Sequence, residues 1–169
     1  MIIPFALKKG RVGLIHVLFV CLGNICRSPM AEAMFRDMVK REKLDQKIAV
    51  DSAGIGGWHI GESPHHGTLS ILKKYQINHE GLVARQVQRE DLNKFDYIVA
   101  MDQSNVDDLH KLAGDASTTH IIRLLDLVEE SEQKDVPDPY FTGNFEEVYE
   151  LIKKGCDRLL ALIKKEHNL

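Results

Sequence analysis

The chain of 169 residues holds only three cysteines, Cys21, Cys26 and Cys156. An odd number with no Cys-x-x-Cys pair excludes a disulfide framework and points to a reducing compartment, the cytoplasm. A structural zinc site is excluded as well: it wants about four ligands, and Cys156 is far from the other two. His65-His66 has no third and fourth ligand at suitable spacing, so no metal and no cofactor is expected. No apolar run approaches about 18 residues, so no membrane span is expected. The seven apolar residues Met1 to Leu7 precede Lys8-Lys9-Gly10-Arg11, the reverse of the order in a signal peptide. Positive charge is not in surplus. A formal charge of −3 gives no case for a nucleic-acid partner. Repeats, linkers and low-complexity segments are lacking too. What remains is a chain 44% apolar and 28% charged, the composition and length of one globular domain.

The stretch that organises the chain is His16-Val-Leu-Phe-Val-Cys-Leu-Gly-Asn-Ile-Cys-Arg-Ser-Pro29. Val17 to Val20 reads as a strand covered on both faces. Gly23 and Asn24 tolerate the angles of a tight turn. Ser28 followed by Pro29 reads as a helix N-cap and first helical residue. A loop closed this tightly against a helix N-terminus turns its backbone N–H groups into one concavity that binds an oxyanion. Cys21 stands at the floor of that nest and Arg27 at its rim. The N–H dipoles, the helix terminus and Arg27 favour a thiolate, which is a nucleophile. Arg27 offers a planar fork to a phosphate, and Ser28 has a hydroxyl to donate to the departing thiolate. This constellation asks for phosphoryl transfer to cysteine.

Downstream, strands at Lys47–Asp51, Tyr97–Met101 and His120–Leu124 alternate with helices. These helices are expected from Ser28 to about Glu42, over Pro64–Tyr75 and over Asp102–Lys111, with short turns at Glu90–Leu92 and Leu125–Glu130. Ser131–Gly143 reads as a surface loop. From Phe145 to Ile163 apolar residues keep a 3.6-residue spacing, and Cys156 lies on that stripe as a core thiol. The alternation predicts an α/β fold: one domain with a doubly wound, four-stranded parallel sheet, helices on both faces, and a phosphate loop between strand 1 and helix 1. Ligands of such sheets bind at the carboxyl ends of the strands. Cys21, Ser52 and the loop after Met101 gather there. Trp58, flanked by glycines, and Tyr140 are candidate pocket walls. Cys26 is either one more loop residue or a redox partner that shields Cys21 in a reversible disulfide. On the residues alone Asp138, set between Pro137 and Pro139, is either a turn aspartate or a proton donor.

Val-Cys-Leu-Gly-Asn-Ile-Cys-Arg-Ser-Pro resembles the phosphate loop of the low-molecular-weight protein tyrosine phosphatases, as a bacterial-type member. The likeness extends to Asp51-Ser-Ala-Gly54, Gly57-Trp58, Ala84-Arg-Gln86, Phe95-Asp-Tyr-Ile98, Met101-Asp102 and Asp138-Pro-Tyr140, over roughly residues 15–165. It implies a phosphoric monoester hydrolase that works through a cysteinyl-phosphate, with Cys21 as nucleophile, Arg27 on the phosphate and Asp138 as general acid. Phosphotyrosine proteins or small aryl phosphates are the implied substrates. Leu22, Gly23, Asn24, Ile25, Cys26 and Ser28 form the phosphate-binding loop, supported by Asn24, Ser28 and Ser52. Residues 1–13 fall in front of the family's usual start, leaving one domain over 14–169. Animal members have a histidine in the register of Leu82, so no histidine prop for Asn24 is expected. Alternatives are an arginine phosphatase of the same fold, which carries Thr where Ile25 stands, or a non-catalytic phosphotyrosine binder. Arsenate reductases of this fold need two further cysteines between Cys26 and Cys156, which are absent.

Overall fold

The computed structural model describes residues 13–118 and 120–169, so the first twelve residues of the expected extension lie outside the described residues. Four parallel strands, β1 (Ile15–Cys21), β2 (Ile48–Gly54), β3 (Tyr97–Ala100) and β4 (Ile121–Arg123), form one sheet in the order β2-β1-β3-β4. The helices are α1 (Arg27–Arg41), α2 (His66–Lys74), α3 (Asp91–Lys94), α4 (Gln103–Ala113), α5 (Pro139–Thr142) and α6 (Phe145–His167). A 3-10 turn at Leu124–Leu127 follows β4.

Alternation along β1 sorts the core. Val17, Phe19 and Cys21 face the larger layer, which contains Met30, Met34 and Phe35 of α1 and Val148, Ile152, Cys156 and Leu159 of α6. Leu18 and Val20 face the smaller layer, with Leu92, Leu109 and Ala113 of α3 and α4. Cover on both faces is why β1 has no polar alternation. The periodicity of α6 has the same origin: its stripe is the wall of the larger layer. Gly155 lets that wall sit flush, since a Cβ there would lie 2.4 Å from Leu124 Cγ.

Three local expectations need correction. Helix α1 begins at Arg27, with Cys26 at the cap position and no side-chain cap bond. Ser28 is therefore not the N-cap, because its hydroxyl is committed inside the loop, and Pro29 falls third in a first turn whose N–H groups have no helical partner anyway. Strand β2 runs on to Gly54, so Ser52 lies within the strand, opposite Phe19. Within the expected loop 131–143, Asp138 caps the short helix α5: its Oδ1 accepts from Tyr140 N–H, and Pro139 takes the first helical position.

Candidate active site

The carboxyl ends of β1, β2 and β3 meet where the chain order of the sheet reverses, and the loop from Cys21 to Ser28 occupies that end. Four of its carbonyls are used nearby. Those of Cys21 and Leu22 accept from Ile55 and Gly56, and that of Ile25 accepts from His65 N–H. The Cys26 carbonyl accepts from Thr68 Oγ1. Among the described residues, no backbone N–H from Leu22 to Cys26 has a protein acceptor. A run of unspent donors on the inside of a loop whose acceptors are spent outside is an anion nest. Asn24 takes a left-handed backbone with φ of 58°, which asparagine tolerates better than most residues. Gly54 backs the loop so closely that a Cβ there would come within 2.9 Å of the Gly23 carbonyl carbon.

Side chains lock this backbone. Asn24 Nδ2 donates to Ser28 Oγ at 2.7 Å and to Ser52 Oγ at 2.9 Å. Its Oδ1 accepts from Arg85 N–H at 3.0 Å. Leu82 is buried in the core, and the backbone of Arg85 holds the Asn24 side-chain carbonyl oxygen. Two ion pairs, to Asp51 and Asp91, fix Arg85 in turn. Ser28 Oγ lies 3.0 Å from Cys21 Sγ.

Arg27 is only 2% exposed. Its Nη1 donates to Asp102 Oδ2 at 2.6 Å and to the Val136 carbonyl at 3.0 Å, and its Nη2 to Asp138 Oδ2 at 3.4 Å. Its buried Nε has no partner among the described residues. Burial works against the guanidinium charge, but Cys21, Asp102 and Asp138 outweigh it and hold its pKa above the ordinary value. Asp102 was read from sequence as a helix start and is one, since its Oδ1 accepts from Asn105 N–H. Its second oxygen, which steers Arg27, was missed. Position was the available signal, because Asp102 follows β3 at the same edge of the sheet as Cys21.

A cavity of about 220 Å3 opens over the loop, lined by Cys21, Leu22, Gly23, Ile25, Cys26, Trp58, His59, Asp138, Tyr140 and Phe141. Trp58, Tyr140 and Phe141 form its rim, 68%, 57% and 76% exposed. The expected site residues thus come together, with Cys21 at the floor and Asp138 on the wall. Ser52 stands behind the loop and does not line the cavity. His59 was not anticipated. It hydrogen-bonds Glu62 through Nδ1 and packs on Gly23. Burial first, then Cys21 and Asp138, push the Cys26 thiol up to about 12 against the pull of Arg27. His65 acts structurally: its Nδ1 accepts from Gly67 N–H at the start of α2, and its ring stacks on Phe145.

Comparisons with known proteins point to one family. The family described as "Low molecular weight phosphotyrosine protein phosphatase" matches residues 16–169. The low molecular weight protein-tyrosine-phosphatase YfkJ of Bacillus subtilis is 61% identical over 156 residues, 92% of this chain and all of that protein. Its crystal structure superposes with a TM-score of 0.91, covering 93% of this chain and 99% of that one. The protein PtpA of Staphylococcus epidermidis, named likewise, is 47% identical over 92% of this chain and 98% of its own length.

Proposed function

We propose that the loop Cys21–Ser28 performs the chemistry in two steps, from the premise that the chain belongs to the low molecular weight phosphotyrosine protein phosphatase family and is a phosphoric monoester hydrolase. The phosphate of a phosphotyrosine enters the nest, its oxygens taking the free N–H groups of the loop and the unpartnered Nε of Arg27. The Cys21 thiolate attacks phosphorus in line, the ester P–O bond breaks, and Asp138 gives its proton to the departing phenoxide. Asp138, now a base, takes a proton from water, whose oxygen forms the new bond to phosphorus. The electron pair of the P–S bond returns to Cys21 Sγ, and the Ser28 hydroxyl donates a hydrogen bond to the thiolate so formed. Arg27, steered by Asp102, follows the charge as the phosphoryl group flattens.

The observation that carries this reading is the run of unspent N–H donors facing one sulfur and one buried guanidinium. An aromatic ester fits it best. The rim of Trp58, Tyr140 and Phe141 offers ring faces to a phenyl group, and Ile25 crowds the leaving group with an aliphatic surface rather than the hydroxyl that a phosphoarginine site would use. The domain occupies residues 14–169 and works in the cytoplasm, consistent with three unpaired thiols. Among the described residues no helix is long and apolar enough to cross a membrane. Peroxide would convert Cys21 to a sulfenic acid, which condenses with the Cys26 thiol to a disulfide and water. A panel of phosphotyrosine, phosphoserine and phosphoarginine peptides tests the reading. Release of phosphate from phosphotyrosine, lost in Cys21→Ser, supports it; equal release from phosphoarginine overturns the substrate assignment.

A further inference from the structure

One buried carboxylate has no part in the steps above. Glu32 lies one turn along α1 from Ser28, on the same face, and is 8% exposed. Burial holds its pKa above the ordinary carboxyl value even though Ser52 donates to it. Ser52 Oγ donates to Glu32 Oε1 at 2.6 Å. The only other polar contact of the Glu32 side chain among the described residues is a long one, 3.4 Å from Arg36 Nη1. Asp51 and Arg85 also face it, with opposite effects on its charge. A polar group placed at this depth is unfavourable unless its bonds are needed.

The bonds run in one direction. A carboxylate accepts only, so it takes the Ser52 proton. Ser52 Oγ then faces Asn24 with a lone pair, and Asn24 must present its amide nitrogen. The same nitrogen donates to Ser28 Oγ, which leaves the Ser28 proton free for Cys21 Sγ at 3.0 Å or for the Ala53 carbonyl at 3.5 Å. Arg85 N–H, bound to Asn24 Oδ1, enforces the same amide orientation from the other end. With an apolar residue at position 32 the Ser52 proton loses its acceptor. Only Arg85 N–H then opposes an inverted Asn24 amide, to which Ser52 and Ser28 can both donate, and the Ser28 proton is no longer held on the sulfur.

We propose that Glu32 is a positioning residue for the second chemical step, acting through Ser52 and Asn24 to keep the Ser28 hydroxyl proton directed at the Cys21 sulfur. The proposal rests on Cys21 carrying the phosphoryl group. Its signature is selective. When water attacks the cysteinyl-phosphate, the P–S bond breaks and the returning electron pair needs the Ser28 donor. When the thiolate attacks the substrate, that hydrogen bond is given up rather than gained. Losing the relay therefore slows hydrolysis of the phosphoenzyme and leaves its formation largely alone.

Rapid acid quench with radiolabelled aryl phosphate, on the pH plateau, separates the two rate constants. In Glu32→Ala and Ser52→Ala the decay of phosphoenzyme is expected to slow about fivefold to tenfold, with formation within about twofold of wild type. Vanadate inhibition should stay unchanged, showing an intact nest. Glu32→Gln, which keeps an acceptor for Ser52, should restore decay to within about twofold. Should Glu32→Ala fail to fold, Ser52→Ala decides. Equal slowing of both steps with weakened vanadate binding would make the role merely structural and overturn the proposal, as would unchanged decay. Absence of any Cys21-linked phosphate in the wild type would overturn the nucleophile assignment, and this proposal with it.

Discussion

From Cys21 to Ser28 all but Leu22 and Gly23 are buried, whereas Tyr140 to Gly143, just beyond Asp138, are all exposed. Asn24 alone makes three side-chain hydrogen bonds to three different segments. Asp138 is held by one local bond to Tyr140 N–H and one long contact to Arg27. The two regions face each other across the cavity and divide the labour. An anion receptor must keep its donors aimed with no reorganisation, so it is welded into the sheet and α1. A proton donor and an aromatic rim must admit a large substrate, so they sit on a short capped turn that packs on little. Damage to the first region should register in both folding and catalysis, and damage to the second in catalysis alone.

Cys21→Ser is the largest expected effect and the cleanest test of the floor. Turnover of p-nitrophenyl phosphate should fall by at least about a thousandfold while phosphate binding, read by calorimetry, persists. Next comes Asp138→Ala, which should slow phosphotyrosine by about a hundredfold or more and esters with good leaving groups far less, with the melting temperature unmoved. A uniform loss across leaving groups would remove Asp138 from the acid role. Asn24→Ala is the counterpart on the welded side. It loses three hydrogen bonds and forces alanine to a φ of 58°, so about 2–4 kcal/mol of stability should go together with kcat/KM. An enzyme that stays stable but inactive would break the contrast. Trp58→Ala should raise KM for phosphotyrosine peptides only a few-fold, leaving the unfolding free energy from urea titration within about 0.5 kcal/mol.

The smallest effect is a pH slope. Burial raises the Glu32 pKa above its ordinary value of 4.5, so the folded state holds that proton more tightly than the unfolded one. Its contribution is fully present below 4.5 and is lost as pH rises through the folded value. Between those limits Glu32→Gln should flatten the decline of wild-type stability, and the two proteins should converge below it. Urea midpoints taken from pH 4 to 7 decide.

Much of this was legible because it is local. The strand, the Gly-Asn turn and the Cys and Arg spacing lie within fourteen residues, and the stripe on α6 is one continuous period. Ser52 was reached from its place at the carboxyl end of the second strand, whereas the acid role of Asp138 came only through resemblance. What stayed hidden depends on tertiary contact. Asp102 meets Arg27 from 75 residues away, and nothing local distinguishes its second oxygen from that of any helix cap. Glu32 reads as a polar residue on an amphipathic helix until β2 lays Ser52 against it. The start of α1 was misplaced because Ser28 has the composition of a cap, but Asn24 and Cys21 hold its hydroxyl.

Two of the three thiols line the cavity and the third does not. Cys21 closes the floor of an open cavity, Cys26 is pushed up to about 12 within the same loop, and Cys156 is sealed in the larger layer with its pKa raised by burial. An alkylating reagent at neutral pH should therefore add a single label to the native protein and three once urea opens it. The sequence carries its own counter for unfolding, readable by mass without a dye or an engineered probe.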